Sequence, residues 1–223
     1  SIRIAVDCMG GDHGLSVTIP AVLRFSQQHP DTHFLLAGNA DAIRKALADE
    51  KVADHSWYEI LPATEVVLMD DTVEVALRRK KDSSMVVAMN MLARGEGDAL
   101  LSTGSTGALL TAGLLIIKCV PGVHRPALTP ILPTLKTPCA LIDCGANVDC
   151  RPIHLCQFAV MGRAYMQALG VADPRVGLIN IGVESEKGNE LTRTVHPQLA
   201  QMPINFVGNI EAREIPSGDA DVL

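Results

Sequence analysis

Residues 99–108 read ALLSTGSTGA, a short apolar run that passes directly into serine, threonine and glycine. The residues that follow, 108–118, are apolar enough to form a partly buried helix. A continuous apolar run that ends in a Gly-rich turn and leads into a helix is typical of a parallel strand followed by its crossover helix. We therefore predict a strand at 99–101, a loop at 102–107 and a helix at 108–118.

The same pattern recurs at four other places in the chain. Each apolar run ends in a loop that combines glycine with acidic or amide side chains. Strands and helices that alternate in this way build a parallel sheet covered by helices on both faces, so the predicted fold class is α/β. Ligands of such sheets bind at the carboxyl ends of the strands, and we expect the five loops to converge on one cleft. The four further runs are 2–6, 140–142, 176–179 and 204–207, with helices predicted at 16–28 and 153–169.

Weaker sequence signals predict the remaining elements and the extent of the domain. Residues 219–223 begin another strand and stop without a closing turn. We therefore expect one α/β domain over residues 1–223, taken from a chain that continues further. The other predicted elements are strands at 33–37 and 58–61, a helix at 40–48, a helix at 85–94 capped by Ser83 or Ser84, and a proline-rich connection at 121–138 with a short strand at 128–132.

Composition excludes several classes of protein. The 223 residues carry a net charge of −6 and only 3% aromatic residues, which argues against nucleic acid as a partner. The six cysteines form no C-x-x-C pair, and we expect them to be reduced in a cytoplasmic protein. The longest apolar stretch, 108–117, is about half of the ~20 residues that a membrane-spanning helix needs.

The loop at 102–107 is the best candidate for an anion site. Its backbone N–H groups and hydroxyls precede a helix, and a helix N-terminus carries about +0.5 charge. It is not a Walker loop, because no lysine follows its last glycine. The alternative is a Ser/Thr-rich helix cap that holds no ligand.

Three other loops carry candidate groups. Residues 7–14 bring two carboxylates next to a glycine pair that permits close approach of a ligand to the backbone, although a simple turn also uses such glycines. Residues 143–149 combine two acids and an amide, but no second acidic cluster supports a metal, and we expect none. Residues 180–188 place Lys187 either beside a phosphate or in a pair with Glu184 or Glu186.

The sequence RRKK at 78–81 is the only basic run of this acidic chain. It is either a solvated helix face or a patch that docks an acidic protein partner by charge complementarity.

Six blocks, in this order along the chain, resemble the phosphate acyltransferase family of bacterial phospholipid synthesis. One departure is Ser105, where many members carry asparagine. The family's chain also continues by about a third of its length past Leu223. The blocks are DCMGGDHG (7–14), STGSTGA (102–108), RPAL (125–128), DCGANVD (143–149), NIGVESEKG (180–188) and FVGNIE (206–211).

The resemblance implies the reaction of a long-chain acyl–acyl carrier protein with inorganic phosphate, which gives an acyl phosphate and the free carrier. It also implies a Rossmann-like three-layer α/β/α fold akin to phosphotransacetylases and isopropylmalate dehydrogenases. A homodimer and peripheral contact with the inner face of the cell membrane are implied as well. No cofactor is expected, because phosphate is itself the nucleophile.

On this reading, the loop at 102–107 holds phosphate together with Lys187, and the backbone of Gly10 and Gly11 faces the acyl carbonyl or the phosphate. The expected catalytic residues are Lys187, Asn147, Asp143 and Asn180. The expected substrate-binding residues are Gly10, Gly11, Asp12, Ser102, Gly104, Ser105, Thr106, Gly107 and Asp149.

Two alternatives stay open from the residues alone. One is a phosphotransacetylase-like enzyme that uses an acyl–coenzyme A, and the other is a fragment that binds phosphate without turnover. A dehydrogenase is disfavoured, since the G-x-G-x-x-G fingerprint is absent.

Overall fold

Four apolar runs of the first half pair into one parallel sheet in the order β3-β2-β1-β4. The computed structural model describes all residues, 1–223. In the register of β1 with β4, Asp7 lies opposite Ser102, so the loops that follow these two strands begin side by side. The strands are β1 (Ile2–Asp7), β2 (Thr32–Gly38), β3 (Tyr58–Pro62) and β4 (Ala99–Ser102).

Helices cover both faces of this sheet, because alternate strand residues point to opposite sides. On one face Val6 and Leu36 pack with Ile19 and Ile43, and on the other Ala5 and Leu35 pack with Ala88. The result is a three-layer α/β/α unit, which confirms the predicted fold class. The helices are α1 (Leu15–Gln28), α2 (Ala40–Asp49), α3 (Ser84–Ala93) and α4 (Thr106–Ala112).

The second half builds its own sheet around two parallel strands and the end of the chain. β7 and β8 pair in parallel, whereas β5 and β6 pair antiparallel. Val222 bridges in parallel to both Ala140 and Val176, so the last residues lie between β6 and β7. The elements are β5 (Ile131–Leu132), β6 (Cys139–Ala140), α5 (Pro152–Ala168), β7 (Arg175–Asn180), α6 (Glu190–Gln201) and β8 (Asn205–Glu211).

Some predicted elements differ from the structure. The helix predicted at 108–118 begins earlier, at Thr106, and continues beyond Ala112 as a π-helical segment, Gly113–Ile117. The strand predicted at 128–132 is reduced to Ile131–Leu132, since Pro130 and Pro133 on either side have no N–H for a sheet ladder. A second π-helical segment, Val75–Arg79, has no counterpart in the prediction.

Contacts divide the chain into two compact units, Ser1–Cys119 and Val120–Leu223. The expectation of a single domain over residues 1–223 stays a prediction. None of the helices combines the length and the apolar character that crossing a membrane requires.

Candidate functional site

Asp7, the last residue of β1, is the buried centre of the loops in the first unit. Its carboxylate is only 2% exposed. One oxygen accepts a hydrogen bond from the Ser84 hydroxyl at 2.5 Å, and the other accepts from the Ser102 hydroxyl at 2.7 Å. Ser102 Oγ in turn accepts from the N–H of Gly104 at 3.0 Å. One carboxylate therefore fastens the end of β1, the start of α3 and the loop after β4 to each other.

Two glycines let the loop after β1 lie directly against the loop after β4. A Cβ on Gly10 would lie 2.5 Å from an Asp7 carboxylate oxygen, and one on Gly11 would lie 2.7 Å from the Thr103 carbonyl oxygen. The Thr103 hydroxyl donates to the Gly10 carbonyl at 3.0 Å. The structure thus brings together Gly10, Gly11 and the loop at 102–107, as the sequence predicts for these strand ends.

The donors left for an anion at this loop are backbone N–H groups and the exposed Thr106 hydroxyl. Ser102 is engaged with Asp7, and the Ser105 hydroxyl caps α4 by accepting from the N–H of Ala108 at 3.4 Å. The N–H groups of Thr106 and Gly107 lie in the first turn of α4, where no intrahelical acceptor exists. The loop is therefore a helix cap that also presents free donors at a helix N-terminus. Asp12 is exposed in the neighbouring loop.

In the second unit, Asp143 and Asn147 clamp their own loop to the preceding segment. Asp143 accepts from the N–H groups of Leu128 and Asn147, both at 2.7 Å, and from that of Ala146 at 3.2 Å. The Asn147 amide donates to Asp143 at 3.1 Å and to the Pro126 carbonyl at 2.9 Å. Both side chains thus shape the backbone, a positioning role.

Arg125 extends this clamp at the far end of the loop. Its guanidinium donates to the Asp149 carbonyl oxygen at 2.9 Å, which leaves the exposed Asp149 carboxylate outside the bond. The loop at 143–149 is therefore tied to residues 125–128, another of the sequence blocks, at both ends.

Asn180, the last residue of β7, shapes the loop that carries Lys187. It is 8% exposed, its amide donates to the Lys187 carbonyl at 3.0 Å, and its oxygen accepts from the N–H of Ile181 at 2.9 Å. Gly188 has φ +98, and a Cβ there would overlap sterically with this amide. Lys187 is exposed and forms no ion pair with Glu184 or Glu186, so its ammonium is free to meet a ligand.

Sequence reasoning noted Asp7 as one of two carboxylates in its loop and Ser84 as a possible helix cap, but it assigned neither residue to the site. An acidic residue at the end of a strand was one available signal, but its partners are 77 and 95 positions away along the chain. Arg125 was quoted only as part of a block. In the same way Asn209, in the block at 206–211, is 5% exposed and donates to the Glu184 carbonyl at 2.8 Å, which ties β8 to the Lys187 loop.

His154, in the first turn of α5, is a buried neutral group next to the clamp. Its ring is 1% exposed, and Nδ1 accepts from the N–H of Arg151 at 3.1 Å. Burial lowers its pKa below the usual 6.5, and the nearby charges of Arg125 and Arg151 lower it further.

We expect the free energy of unfolding to fall as the pH is lowered from about 6.5, because the unfolded chain then binds a proton that folded His154 resists. His154→Asn keeps an acceptor for Arg151 but does not titrate, and it is expected to flatten this slope. Urea unfolding between pH 5 and 7 measures how the free energy of unfolding depends on pH. His29→Asn, at an exposed histidine, is the control. An unchanged slope in His154→Asn would contradict the assignment.

The sequence of this chain matches a known family and several curated proteins. The family model described as fatty acid synthesis protein matches residues 2–223. Curated relatives named phosphate acyltransferase align over the entire chain, with 48% identity in Alcanivorax borkumensis, 49% in Bordetella petrii and 50% in Bordetella parapertussis. The chain spans 66%, 63% and 64% of the length of these three relatives, respectively.

Solved structures share the fold at low identity. The EutD phosphotransacetylase from Staphylococcus aureus superposes with a TM-score of 0.67 at 17% identity, covering 100% of this chain and 76% of that one. A branched-chain phosphotransacylase from Enterococcus faecalis V583 gives 0.62 at 13% identity, covering 100% and 78%. A 4-hydroxythreonine-4-phosphate dehydrogenase from Burkholderia phymatum gives 0.59 at 15%, covering 99% and 78%. At these identities the likeness concerns the fold alone.

Proposed function

The chain belongs to the fatty acid synthesis protein family, and on this premise we propose that the whole protein transfers a fatty acyl group from a thioester carrier to inorganic phosphate. The curated relatives are named phosphate acyltransferase. The observation that carries the proposal is the loop at 102–107, which Asp7 anchors and which presents the free N–H groups of Thr106 and Gly107. Such a helix N-terminus suits a phosphate dianion.

The proposed acyl transfer requires little acid–base catalysis, because a thiolate is a good leaving group. A phosphate oxygen attacks the thioester carbonyl carbon, the C–S bond breaks, and the carrier leaves as a thiolate that takes a proton from solvent. Catalysis then depends on holding the phosphate dianion in place and on N–H donors for the carbonyl oxygen as it becomes negative. The proposal invokes no cofactor and no covalent intermediate.

The roles of the predicted site residues in this reaction are part of the same proposal. Backbone donors of the loop at 102–107 hold phosphate, and Gly10 and Gly11 keep the adjoining backbone close to it. In the second unit the exposed Lys187 supplies a positive charge for an anionic group of the substrates. Asp143, Asn147 and Asn180 act as positioning residues, since their side chains are bonded to backbone. Asp12 and Asp149 are exposed and are assigned to substrate contact.

Replacing Lys187 by alanine tests its role. We expect the KM for phosphate or for the acyl thioester to rise about tenfold, which corresponds to the loss of one charge-assisted contact. Steady-state kinetics with each substrate varied measure this, with Lys45→Ala, an exposed lysine of α2, as control. Values of kcat and both KM within a factor of about two of wild type would remove Lys187 from the site.

An acyl carrier protein is the carrier that we propose, and the basic run at 78–81 is its docking patch. Lys80 does not take part, because its ammonium binds Asp71 and the Val66 carbonyl. Arg78 is exposed and reaches Glu74 only at 3.9 Å, and Arg79 and Lys81 are exposed as well. The patch is thus three cations, which complement an acidic carrier surface.

Reversing two of these charges, Arg79→Glu with Lys81→Glu, is expected to raise the KM for the acyl carrier protein about tenfold at low salt. The effect should shrink at high salt, because exposed charges are screened. Lys45→Glu, a single charge reversal at an exposed position of α2, is the control. The kcat of both variants is expected to equal that of wild type. A KM that is unaffected at low salt would refute the docking patch.

We also propose, from the family resemblance, a homodimer in the cytoplasm that contacts the inner face of the cell membrane peripherally. Sedimentation velocity tests the dimer, and flotation with anionic phospholipid vesicles tests the membrane contact. A monomer across micromolar concentrations, or a protein that stays out of the vesicle fraction, would contradict the respective proposal.

A further inference from the structure

The second unit contains a cavity of about 280 Å³, partly open to solvent, between its sheet and the helices α5 and α6. One wall follows β7 from Val176 to Ile179, about 10 Å of a parallel strand. Leu199 of α6 lines the end near Val176, whereas Asp143 and Asn147 line the end at the carboxyl edge of the sheet. The cavity thus runs from the loop at 143–149 into the core of the unit.

Most of the wall of this cavity is aliphatic or aromatic. Polar side chains occur only at the end near the loop, and those of Asp143, Asn147 and Thr192 are already hydrogen-bonded within the protein. A largely apolar space of this kind offers water few hydrogen-bond partners and suits an apolar ligand. The main side chains of the wall are Leu155, Phe158, Ala159, Leu178, Leu191 and Leu199.

We propose that this cavity binds the hydrocarbon part of the fatty acyl substrate, with the thioester end at the loop at 143–149. The proposal rests on the acyl transfer proposed above for its choice of ligand. The chemistry of the mouth favours a neutral group there, since the Asp143 carboxylate lines it and no cationic side chain does. A thioester is neutral, whereas a free fatty acid carries a charge of the same sign as Asp143.

The volume sets how much of a chain can be buried. A methylene group is similar in size to a water molecule, whose share of liquid volume is about 30 Å³, so the cavity accommodates roughly nine methylene groups. Each buried methylene contributes about 0.8 kcal/mol, which corresponds to a fourfold gain in affinity. Affinity should therefore rise about fourfold per carbon and level off once the cavity is full.

Neutral n-alkanols from butanol to dodecanol are the probes for this test, because they need neither phosphate nor a carrier protein. Isothermal titration of the whole protein gives the affinity of each, and wild type is expected to level off near nine or ten carbons. Ala159→Leu adds three carbons to the wall and is expected to shorten this limit by about three carbons. Val176→Ala removes two and is expected to extend the limit by about two carbons.

Ala164→Leu makes the same change as Ala159→Leu at an exposed position of α5, and it is expected to match wild type. Opposite shifts in the two cavity variants cannot come from misfolding, which would weaken all alkanols alike. The absence of a chain-length limit in wild type, or the same limit in wild type, Ala159→Leu and Val176→Ala, would overturn the proposal.

The result is separable from the proposed function. If phosphate-dependent acyl transfer occurs but the cavity variants keep the chain-length limit of wild type, the cavity assignment fails and the transferase stands. If the alkanol limits shift as expected but no acyl phosphate forms, the cavity stands and the transferase fails.

Discussion

Replacing Asp7 by alanine is expected to lower kcat/KM for phosphate about 100-fold, because loosening of a site by about 1 Å has effects of this size. The carboxylate is the only group that joins Ser84 on α3 to Ser102 at the start of the candidate phosphate loop. Without it, the buried Ser84 hydroxyl and the half-buried Ser102 hydroxyl lose their acceptor. The N–H of Gly104 then donates to a serine whose side chain is no longer fixed. Steady-state kinetics with phosphate varied measure the loss.

Two serine variants distinguish an effect on the phosphate loop from an effect on the overall stability of the protein. Ser84→Ala removes the bond on the α3 side and is expected to lower stability with little change in the KM for phosphate. Ser102→Ala removes both the bond to Asp7 and the acceptor for Gly104. It is expected to raise the KM for phosphate and to lower kcat/KM towards the value of Asp7→Ala. Equal effects of the two serine variants on the KM would contradict the role assigned to Asp7. Asp7→Asn, which can accept from one serine and donate to the other, should recover part of the activity.

Replacing Asp221 by alanine is expected to lower the free energy of unfolding of the second unit by about 2 kcal/mol, less than for a fully buried ion pair, because the Arg175 side chain is 33% exposed. Asp221 is 5% exposed and receives Arg175 in a bidentate arrangement, from Nε at 2.9 Å and from Nη2 at 2.8 Å. The Arg175 N–H donates to the same carboxylate at 2.9 Å. The pair fixes the residues that carry Val222 between β6 and β7.

Asp219 offers a matched control two residues away. It pairs with Lys136, but both side chains are more than half exposed, so Asp219→Ala should affect unfolding far less. The hydrogen bond from Arg175 lowers the pKa of Asp221 below its usual 3.8, so its contribution is present above that pH and is lost as the pH falls through the lowered value. Chemical denaturation of both variants at neutral pH measures the difference, and equal losses would contradict the account.

Much of the fold could be predicted because the signals are local. Continuous apolar runs such as the one in β1 indicate buried parallel strands, and Ser83 and Ser105 cap the helices that follow them, as their positions suggest. The π-helical segments could not be predicted, since nothing in Val75–Arg79 distinguishes them from an α-helix. The same holds for Lys80, which sequence reasoning grouped with the basic run and which Asp71 holds instead.

The candidate site was predictable as a set of loops but not as a network. Asp143, Asn147 and Asn180 were expected among the catalytic residues, but in the structure their side chains bond mainly to backbone atoms of nearby segments. The pairing of Asp7 with Ser84 and Ser102 depends on how three distant segments pack, which no local pattern encodes. The apolar cavity is likewise a property of packing between α5, α6 and the sheet.

The most direct test of the account is the reaction itself. The whole protein is incubated with palmitoyl–acyl carrier protein, with and without inorganic phosphate, and free carrier thiol and acyl phosphate are measured, the latter as its hydroxamate. We predict thiol release that requires phosphate and is matched by an equal amount of acyl phosphate. Thiol release that is independent of phosphate, or no release by a folded protein, would contradict transfer of the acyl group to phosphate.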